Sequence, residues 1–193
     1  VFRRNNREGK IVRDVIIACD FKNKEELFDF LKDFEGLNPY LKIGMEIFYK
    51  EGPELVRTLK AKGFKIFLDL KLHDIPNTVE KAMRNIADLG VEITNCHAAG
   101  GIQMMAAARR GLDSTEAGKK TELIAVTQLT SISQEALENE LLIKENLADV
   151  VKHYALNAKA AGLQGVVCSP LEASIIKELG LISVTPGIRF ADD

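Results

Sequence analysis

Short apolar runs alternate with amphipathic segments along the chain, and this alternation predicts most of the fold. The apolar runs are mostly rich in Val and Ile and lie at 15–20, 40–44, 65–70, 91–96, 123–129, 165–168 and 182–185. Runs of this length are typical of parallel strands that are buried on both faces. Helical patterns fill most of the intervals, at 23–34, 51–62, 77–89, 101–112, 146–161 and 170–179. Several helices precede a glycine that can take the left-handed conformation of a helix cap, namely Gly63, Gly90, Gly162 and Gly180.

Regular alternation of strand and helix predicts a parallel sheet, either open and doubly wound or closed into a barrel. No GxGxxG follows the first strand, which weakens the dinucleotide-binding version of the open sheet. Polar residues instead recur where successive strands end: Asp20, Lys42, Asp69 with Lys71, Asn95 with His97, Gln128 with Thr130, Ser169 and Arg189. A site assembled from the ends of many strands is the arrangement of the (β/α)8 TIM barrel, which we therefore predict. The chain covers about seven of the eight β/α units.

Composition and charge narrow the class of protein. The chain has 193 residues, 46% of them hydrophobic and 28% charged, which suits one globular domain with a sizeable core. A formal net charge of -2 supplies no basic field, so neither nucleic acid nor an anionic membrane is indicated as a partner. No apolar run approaches the roughly 20 residues of a membrane span. Cys19, Cys96 and Cys168 are widely spaced, as expected of buried thiols in a reducing compartment, so we expect a cytoplasmic protein.

The third strand carries the clearest candidate chemistry. Asp69 and Lys71 are two residues apart, so in a regular strand they share a face, and Asp74 follows three residues later. Buried charges require partners, and an ammonium held between carboxylates can deliver a proton to a confined substrate. The same spacing is also explained by a buried ion-pair network that only orients the loop. Both interpretations stay open on spacing alone.

The string DLKLHDIPNTV at 69–79 closely resembles the signature of the orotidine 5'-phosphate decarboxylase family in its bacterial form. Further segments fit that family in the same order and spacing: Asp20, LKIG at 41–44, HAAGG at 97–101, VTQLTS at 126–131 and TPGIR at 185–189. The resemblance implies decarboxylation of orotidine 5'-monophosphate to uridine 5'-monophosphate, in de novo pyrimidine biosynthesis, without cofactor or metal. It also implies a homodimer with shared active sites.

The resemblance assigns roles to individual residues. Lys71 is expected to donate the proton, Asp69 to hold Lys71 beside the departing carboxylate, and Asp74 to act in the active site of the other subunit. Among the residues expected to bind substrate, Asp20 and Lys42 contact the ribose, Thr78 accompanies Asp74, Thr130 and Ser131 face the pyrimidine, and Pro186 and Arg189 complete the set. The planar fork of Arg189 suits phosphate.

Two other functions fit parts of the pattern. A sugar-phosphate decarboxylase or aldolase of the same structural group shares Asp-x-Lys-x-x-Asp but uses magnesium to stabilise an enediolate. The continuation HDIPNTV favours the nucleotide enzyme. A catalytically silent barrel that binds a phosphorylated ligand is the second alternative, and the costly charges at 69–74 argue against it. His97 and His73 are each explained either as substrate contacts or as packing residues.

The resemblance further implies an eighth strand with a phosphate-binding glycine and arginine, and a glutamine-bearing loop after the seventh strand. Neither lies within the 193 residues, so we expect the barrel domain at 15–193 to be incomplete at its C-terminus. A barrel without its eighth strand would leave edges of the first and seventh strands unpaired. Residues 1–14 are polar and charged, and we expect an N-terminal extension or a remnant of the expression vector.

Overall fold

The computed structural model of the protein describes residues 2–5 and 11–187, which form an α/β fold. The strands are β1 (Phe2–Asn5), β2 (Ile11–Asp14), β3 (Ile16–Ala18), β4 (Tyr40–Gly44), β5 (Lys65–Leu72), β6 (Ile93–His97), β7 (Glu122–Val126), β8 (Gly165–Val167) and β9 (Ile182–Val184). The helices are α1 (Lys24–Leu31), α2 (Met45–Glu51), α3 (Pro53–Ala61), α4 (Pro76–Ala87), α5 (Gly101–Leu112), α6 (Gln134–Asn139), α7 (Leu147–Ala160) and α8 (Ala173–Glu178).

The seven strands predicted from the apolar runs are β3 to β9, and they form a parallel sheet in the order of the sequence. The four glycines predicted to end helices all have positive φ, from 61° at Gly90 to 89° at Gly63. Among the helices in the described ranges, none has the length and apolar character needed to cross a membrane.

The charged stretch 134–146 is expected from the sequence to be a solvated helix and linker, and α6 begins there. Helix α2, in contrast, was not predicted. Met45–Glu51 follows β4 directly, and Gly52, with a φ of 71°, separates it from α3, which begins at Pro53. Seven residues are too few to show a clear helical period, so the pattern predicted only the second of the two helices.

The N-terminal strands extend the seven-stranded parallel sheet. β1 pairs antiparallel with β9, and β2 pairs antiparallel with β1. β2 is the last strand at one end of the sheet and β3 the last at the other, yet only Val15 separates them. Since consecutive Cα atoms are about 3.8 Å apart, the two ends of the sheet lie within about 8 Å of each other. The sheet therefore curls into a ring in which 11–18 is one continuous run.

This arrangement corrects one expectation. The edge of the seventh parallel strand was expected to be unpaired, but β9 is covered by β1, with Phe2 aligned with Val184 and Arg3 with Ser183. The expectation was wrong because a polar N-terminal segment has no apolar alternation to mark it as a strand. An antiparallel neighbour satisfies the backbone groups of an edge as a parallel one does.

The core has two parts that together position the site. The larger part packs between the sheet and the helices, and a smaller cluster fills the inside of the ring with Tyr40, Phe67, Ile93, Ile124 and Val184. Because alternate residues of a strand face the same side, the residues two positions further along also point inward. On three neighbouring strands these residues are Lys42, Asp69 and Asn95. A polar layer thus lies on an apolar floor, at the carboxyl ends of the parallel strands.

Candidate active site

Four charged side chains alternate in sign across the mouth of the ring. Lys42 Nζ lies 2.9 Å from Asp20 Oδ1 and 3.7 Å from Asp69 Oδ2. Lys71 Nζ lies 2.8 Å from Asp69 Oδ1. We call Asp20, Lys42, Asp69 and Lys71 the charge array. Each member has a neighbour of opposite sign, which is the condition under which charges are tolerated in a partly buried place.

Burial is greatest at the centre of the charge array. The side chain of Asp69 is 10% exposed, against 64% for Asp20 at the outer end. Gly44 borders that outer end, and an added Cβ there would lie 3.3 Å from both Asp20 Oδ1 and Lys42 Nζ. The missing side chain at Gly44 therefore leaves room for the Asp20–Lys42 pair.

Lys71 lies in an irregular part of β5. The pairing of β5 with β6 runs from Phe67↔Ile93 and Leu68↔Thr94 directly to Leu72↔Cys96. β5 thus has two more residues than its partner in this interval, and Lys71 has a φ of 50°. Bulges of this kind re-aim side chains and are frequent beside active sites. Asp69 and Lys71 do meet, as the two-residue spacing predicted, but the strand between them is not regular.

Asn95 is the residue that the sequence interpretation did not include in the site. Its side chain is completely buried, its Nδ2 donates to Asp69 Oδ1 at 2.7 Å, and its Oδ1 accepts from the backbone N–H of Lys71 at 2.8 Å. The available signal was a polar amide two residues after Ile93, on the same inward face. That signal had placed Asn95 among the strand-end polar residues without giving it a role.

Two histidines lie beside the charge array, with the ring centroids of His73 and His97 5.4 Å apart. Burial lowers the pKa of His97 below its usual value, the nearby charges of His73 and Lys71 lower it further, and Asp69 opposes them. His97 is therefore neutral at pH 7. It can exchange hydrogen bonds with a ligand but does not add a positive charge to the site.

Asp74 and Thr78 form no hydrogen bond or ion pair with the charge array in the part of the chain that the structure describes. Asp74 is exposed, its Oδ1 accepts from the N–H of Ile75 at 2.7 Å, and it forms no ion pair with any residue that the structure describes. Thr78 is exposed in the first turn of α4, and its N–H donates to Ile75 O at 3.0 Å. Their role in a neighbouring subunit stays a prediction.

The remaining predicted residues follow the carboxyl ends of β7 and β9. Thr130 and Ser131 are exposed in a turn that the N–H of Ile132 closes on Leu129 O at 2.9 Å. Pro186 is exposed two residues after β9 ends at Val184. Arg189 lies outside the described residues. The structure thus leaves the roles of all four as predictions.

Parallel strands curled into a ring, with the Lys42 and Lys71 ammonium groups paired to carboxylates at the carboxyl ends of the strands, are typical of a barrel enzyme that transfers protons. Comparison with known proteins gives the family. Residues 13–193 match the family described as Orotidine 5'-phosphate decarboxylase / HUMPS family. The chain belongs to this family, as the resemblance of its motifs implied.

Individual relatives agree. The chain is 51% identical over 186 residues to orotidine 5'-phosphate decarboxylase of Bacillus cereus (strain Q1), covering 94% of this chain and 78% of that protein. It is 52% identical over 183 residues to the Bacillus caldolyticus protein of the same name, covering 92% and 75%. The solved orotidine 5'-phosphate decarboxylase of Lactobacillus acidophilus superposes with a TM-score of 0.86 at 42% identity, covering 92% of this chain and 82% of that one. The predicted barrel fold is thereby confirmed.

Proposed function

We propose that the charge array is the catalytic centre of an orotidine 5'-monophosphate decarboxylase in which Lys71 donates the proton. The family and the relatives support the reaction: the chain is a carboxy-lyase that converts orotidine 5'-monophosphate to uridine 5'-monophosphate in pyrimidine biosynthesis. The observation that carries the assignment of roles is the Lys71 ammonium, 2.8 Å from a buried carboxylate at the mouth of the ring.

The chemistry needs a proton where carbon dioxide leaves. Breaking the bond between the ring carbon and the carboxylate leaves an electron pair on that carbon. The Lys71 ammonium supplies the proton for the new C–H bond and, before transfer, its positive charge stabilises the developing carbanion. Asp69 fixes the position of Lys71 and lies near the departing carboxylate in this scheme. Charges that are already oriented need no reorganisation during the reaction, which is the main advantage of such a site over water.

The outer part of the site binds the rest of the nucleotide in this proposal. Asp20 and Lys42 hold the ribose, and their 2.9 Å ion pair keeps both groups at the mouth. Thr130 and Ser131 face the pyrimidine, and Pro186 and Arg189 bind at the phosphate end. Binding energy from the phosphate can be used at the reacting ring, far from the contact itself.

The proposal includes a homodimer, because Asp74 needs a neighbouring array to act on. Asp74 and Thr78 are exposed, and Ile75 between them leaves 66% of its surface exposed. A partly apolar surface beside a free carboxylate is suited to an interface that delivers the carboxylate to the partner. Each site would then hold the charge array of one subunit and Asp74 of the other.

A cytoplasmic location completes the proposal. Cys19, Cys96 and Cys168 are all free and buried, which suits a reducing compartment.

The direct test follows the ultraviolet absorbance of orotidine 5'-monophosphate as the 6-carboxylate is lost, without added metal. Full-length wild-type protein is expected to turn over and full-length Lys71→Ala to lose nearly all turnover. Lys32→Ala is the matched control, because Lys32 makes an ion pair of the same 2.8 Å length in an exposed place. Unchanged turnover in Lys71→Ala would refute the assignment, and loss of turnover on adding a chelator would favour the magnesium-dependent alternative.

Complementation tests the shared site. Lys71→Ala and Asp74→Ala proteins are each expected to be nearly inactive, whereas their mixture should regain activity, because one site of each mixed dimer has both groups. The control mixes Lys71→Ala with a differently tagged Lys71→Ala protein, in which exchange of subunits alone should restore no activity. If verified mixed dimers stay inactive, Asp74 does not act across an interface.

A further inference from the structure

Asn95 contacts Asp69 and Lys71, yet the proposed chemistry gives it no role. It is completely buried, it faces the inside of the ring above Ile93, and both of its polar groups bind to the strand that carries Asp69 and Lys71. A buried amide on an apolar strand is costly unless its hydrogen bonds are made. Here both bonds are made, and both go to Asp69 and Lys71 at the centre of the proposed chemistry.

The orientation of the amide follows from chemistry. The backbone N–H of Lys71 can only donate, so the atom 2.8 Å from it is the oxygen Oδ1. The atom 2.7 Å from the Asp69 carboxylate is then the Nδ2 donor. A single planar group thus fixes the side chain of one member of the charge array and the backbone of the next.

The bulge of β5 explains why this link is needed. Between the pairs Leu68↔Thr94 and Leu72↔Cys96, β5 has two extra residues, so the regular ladder of backbone hydrogen bonds is interrupted. Lys71 has a φ of 50° there, a left-handed conformation that lysine rarely adopts and that surrounding contacts must maintain. The Asn95 side chain takes the place of the missing strand partner for the Lys71 N–H.

We propose that Asn95 is a positioning residue that sets the geometry of the Asp69–Lys71 pair by holding the carboxylate and the left-handed backbone of Lys71 at the same time. The proposal rests on the proposed function, because its readout is the decarboxylation. Asn95 has no part in binding the substrate in this scheme, so losing it changes the rate of the chemical step and leaves substrate affinity nearly unchanged.

Thr94 provides a matched control on the same strand. It is also completely buried, and its Oγ1 donates to Leu68 O at 3.0 Å, so it too binds β5, but before the bulge and on the opposite face. Thr94→Val removes this hydrogen bond at nearly constant volume. If Asn95 only stabilises the fold, the two positions should behave alike.

The first experiment compares kcat and KM of wild type, Asn95→Leu and Thr94→Val. A misplacement of a catalytic group by about 1 Å costs on the order of 10²-fold in rate, so kcat of Asn95→Leu is expected to fall by roughly that factor while KM changes little. Thr94→Val is expected to keep the wild-type kcat at a lowered unfolding midpoint. An unchanged kcat in Asn95→Leu, or an equal loss in Thr94→Val, would overturn the proposal.

The second variant, Asn95→Asp, keeps the shape of the side chain and so remains informative if Asn95→Leu does not fold. It preserves the acceptor for the Lys71 N–H but sets a second carboxyl against Asp69. The charged and titratable groups around position 95 are Lys71 on β5 and Lys42 on β4, which both contact Asp69, and His97 on β6 itself. On the other side, the β7 residue aligned with Asn95 is the apolar Ile124. Two carboxyls in contact share a proton at acid pH, and the protonated one can then donate a hydrogen bond as the Asn95 amide does. The Asn95→Asp variant should therefore be active at acid pH and lose activity as the pH rises and the shared proton leaves.

A kcat–pH profile parallel to that of wild type in Asn95→Asp would also overturn the positioning role. The two proposals fail in different ways. Turnover in Lys71→Ala refutes the proposed function, whereas an inactive Lys71→Ala together with a fully active Asn95→Leu refutes only the role of Asn95.

Discussion

The centre of the charge array makes a measurable contribution to stability, and Asp69→Asn tests its size. The substitution keeps the shape of the side chain and removes the negative charge. Lys71 Nζ, 2.8 Å away, and Lys42 Nζ, 3.7 Å away, then lose the counter-charge that they share. We expect the variant to fold but to unfold at a lower concentration of urea.

The magnitude follows from these two distances. With an effective dielectric constant of about 20, the attractions are about 6 kcal/mol at 2.8 Å and about 4.5 kcal/mol at 3.7 Å. Most of this is offset, since the variant no longer has to bury a carboxylate, which costs several kcal/mol. Lys71 and Lys42 keep 28% and 21% exposure and regain some hydration. A net loss of about 2–4 kcal/mol in the free energy of unfolding remains.

The assay is urea unfolding followed by circular dichroism at one fixed protein concentration, with the slope m used to check that the compactness of the states has not changed. Asp29→Asn is the control. Asp29 Oδ1 also lies 2.8 Å from a lysine, Lys32, but both side chains are more than three-quarters exposed. Its removal should leave the unfolding midpoint unchanged, because exposed pairs contribute little.

Equal shifts of the midpoint in the two variants would refute the reasoning, because burial would then not distinguish the pairs. A more stable Asp69→Asn would also refute it. That result would mean that the free-energy cost of burying the carboxylate exceeds its electrostatic attraction to both lysines.

Other consequences are open to simple measurements. Gly111→Ala should lower stability by about 1–3 kcal/mol in thermal unfolding, because the added Cβ would lie 2.3 Å from the backbone oxygen of Glu80 on α4. Replacing His97 by Gln should flatten the pH dependence of stability below pH 6.5. The pKa of His97 is lower in the folded state than in the unfolded chain, so as the pH drops the unfolded chain binds a proton at a higher pH than the folded protein does. Wild-type stability therefore falls as the pH drops through that range. Burial raises the pKa of Cys19, Cys96 and Cys168 to about 12, so a thiol reagent at pH 8 should label the cysteines only after denaturant is added.

The parallel part of the fold was predictable from the sequence because burial leaves a periodic trace. β3 to β9 coincide with the seven apolar runs, and glycines with positive φ end the helices where expected. The N-terminal hairpin and α2 were not predictable in the same way. β1 and β2 are short and largely polar, and the pairing of β1 with β9 depends on where the curled sheet leaves an edge.

The contact between Asp69 and Lys71 was predictable from the sequence, but the backbone geometry that produces it was not. Asp69 and Lys71 were expected to meet because alternate residues of a strand share a face, and they do meet, at 2.8 Å. Alternation does not foresee the bulge, the positive φ of Lys71 or the bond to Asn95, since all three depend on the register between β5 and β6. Register is a property of two strands, and no single stretch of sequence contains it.

The antiparallel pairing of β1 with β9 also bears on the order of folding. Phe2 is aligned with Val184, whereas each pair from β3 to β9 joins strands that follow one another in the sequence. Contacts between distant residues carry the largest loop-closure entropy and form late. Among the described strands β1 comes first in the chain and its partner β9 comes last. The pairing that closes the ring therefore requires every strand between β1 and β9 to have been synthesised, so we expect it to form late in folding.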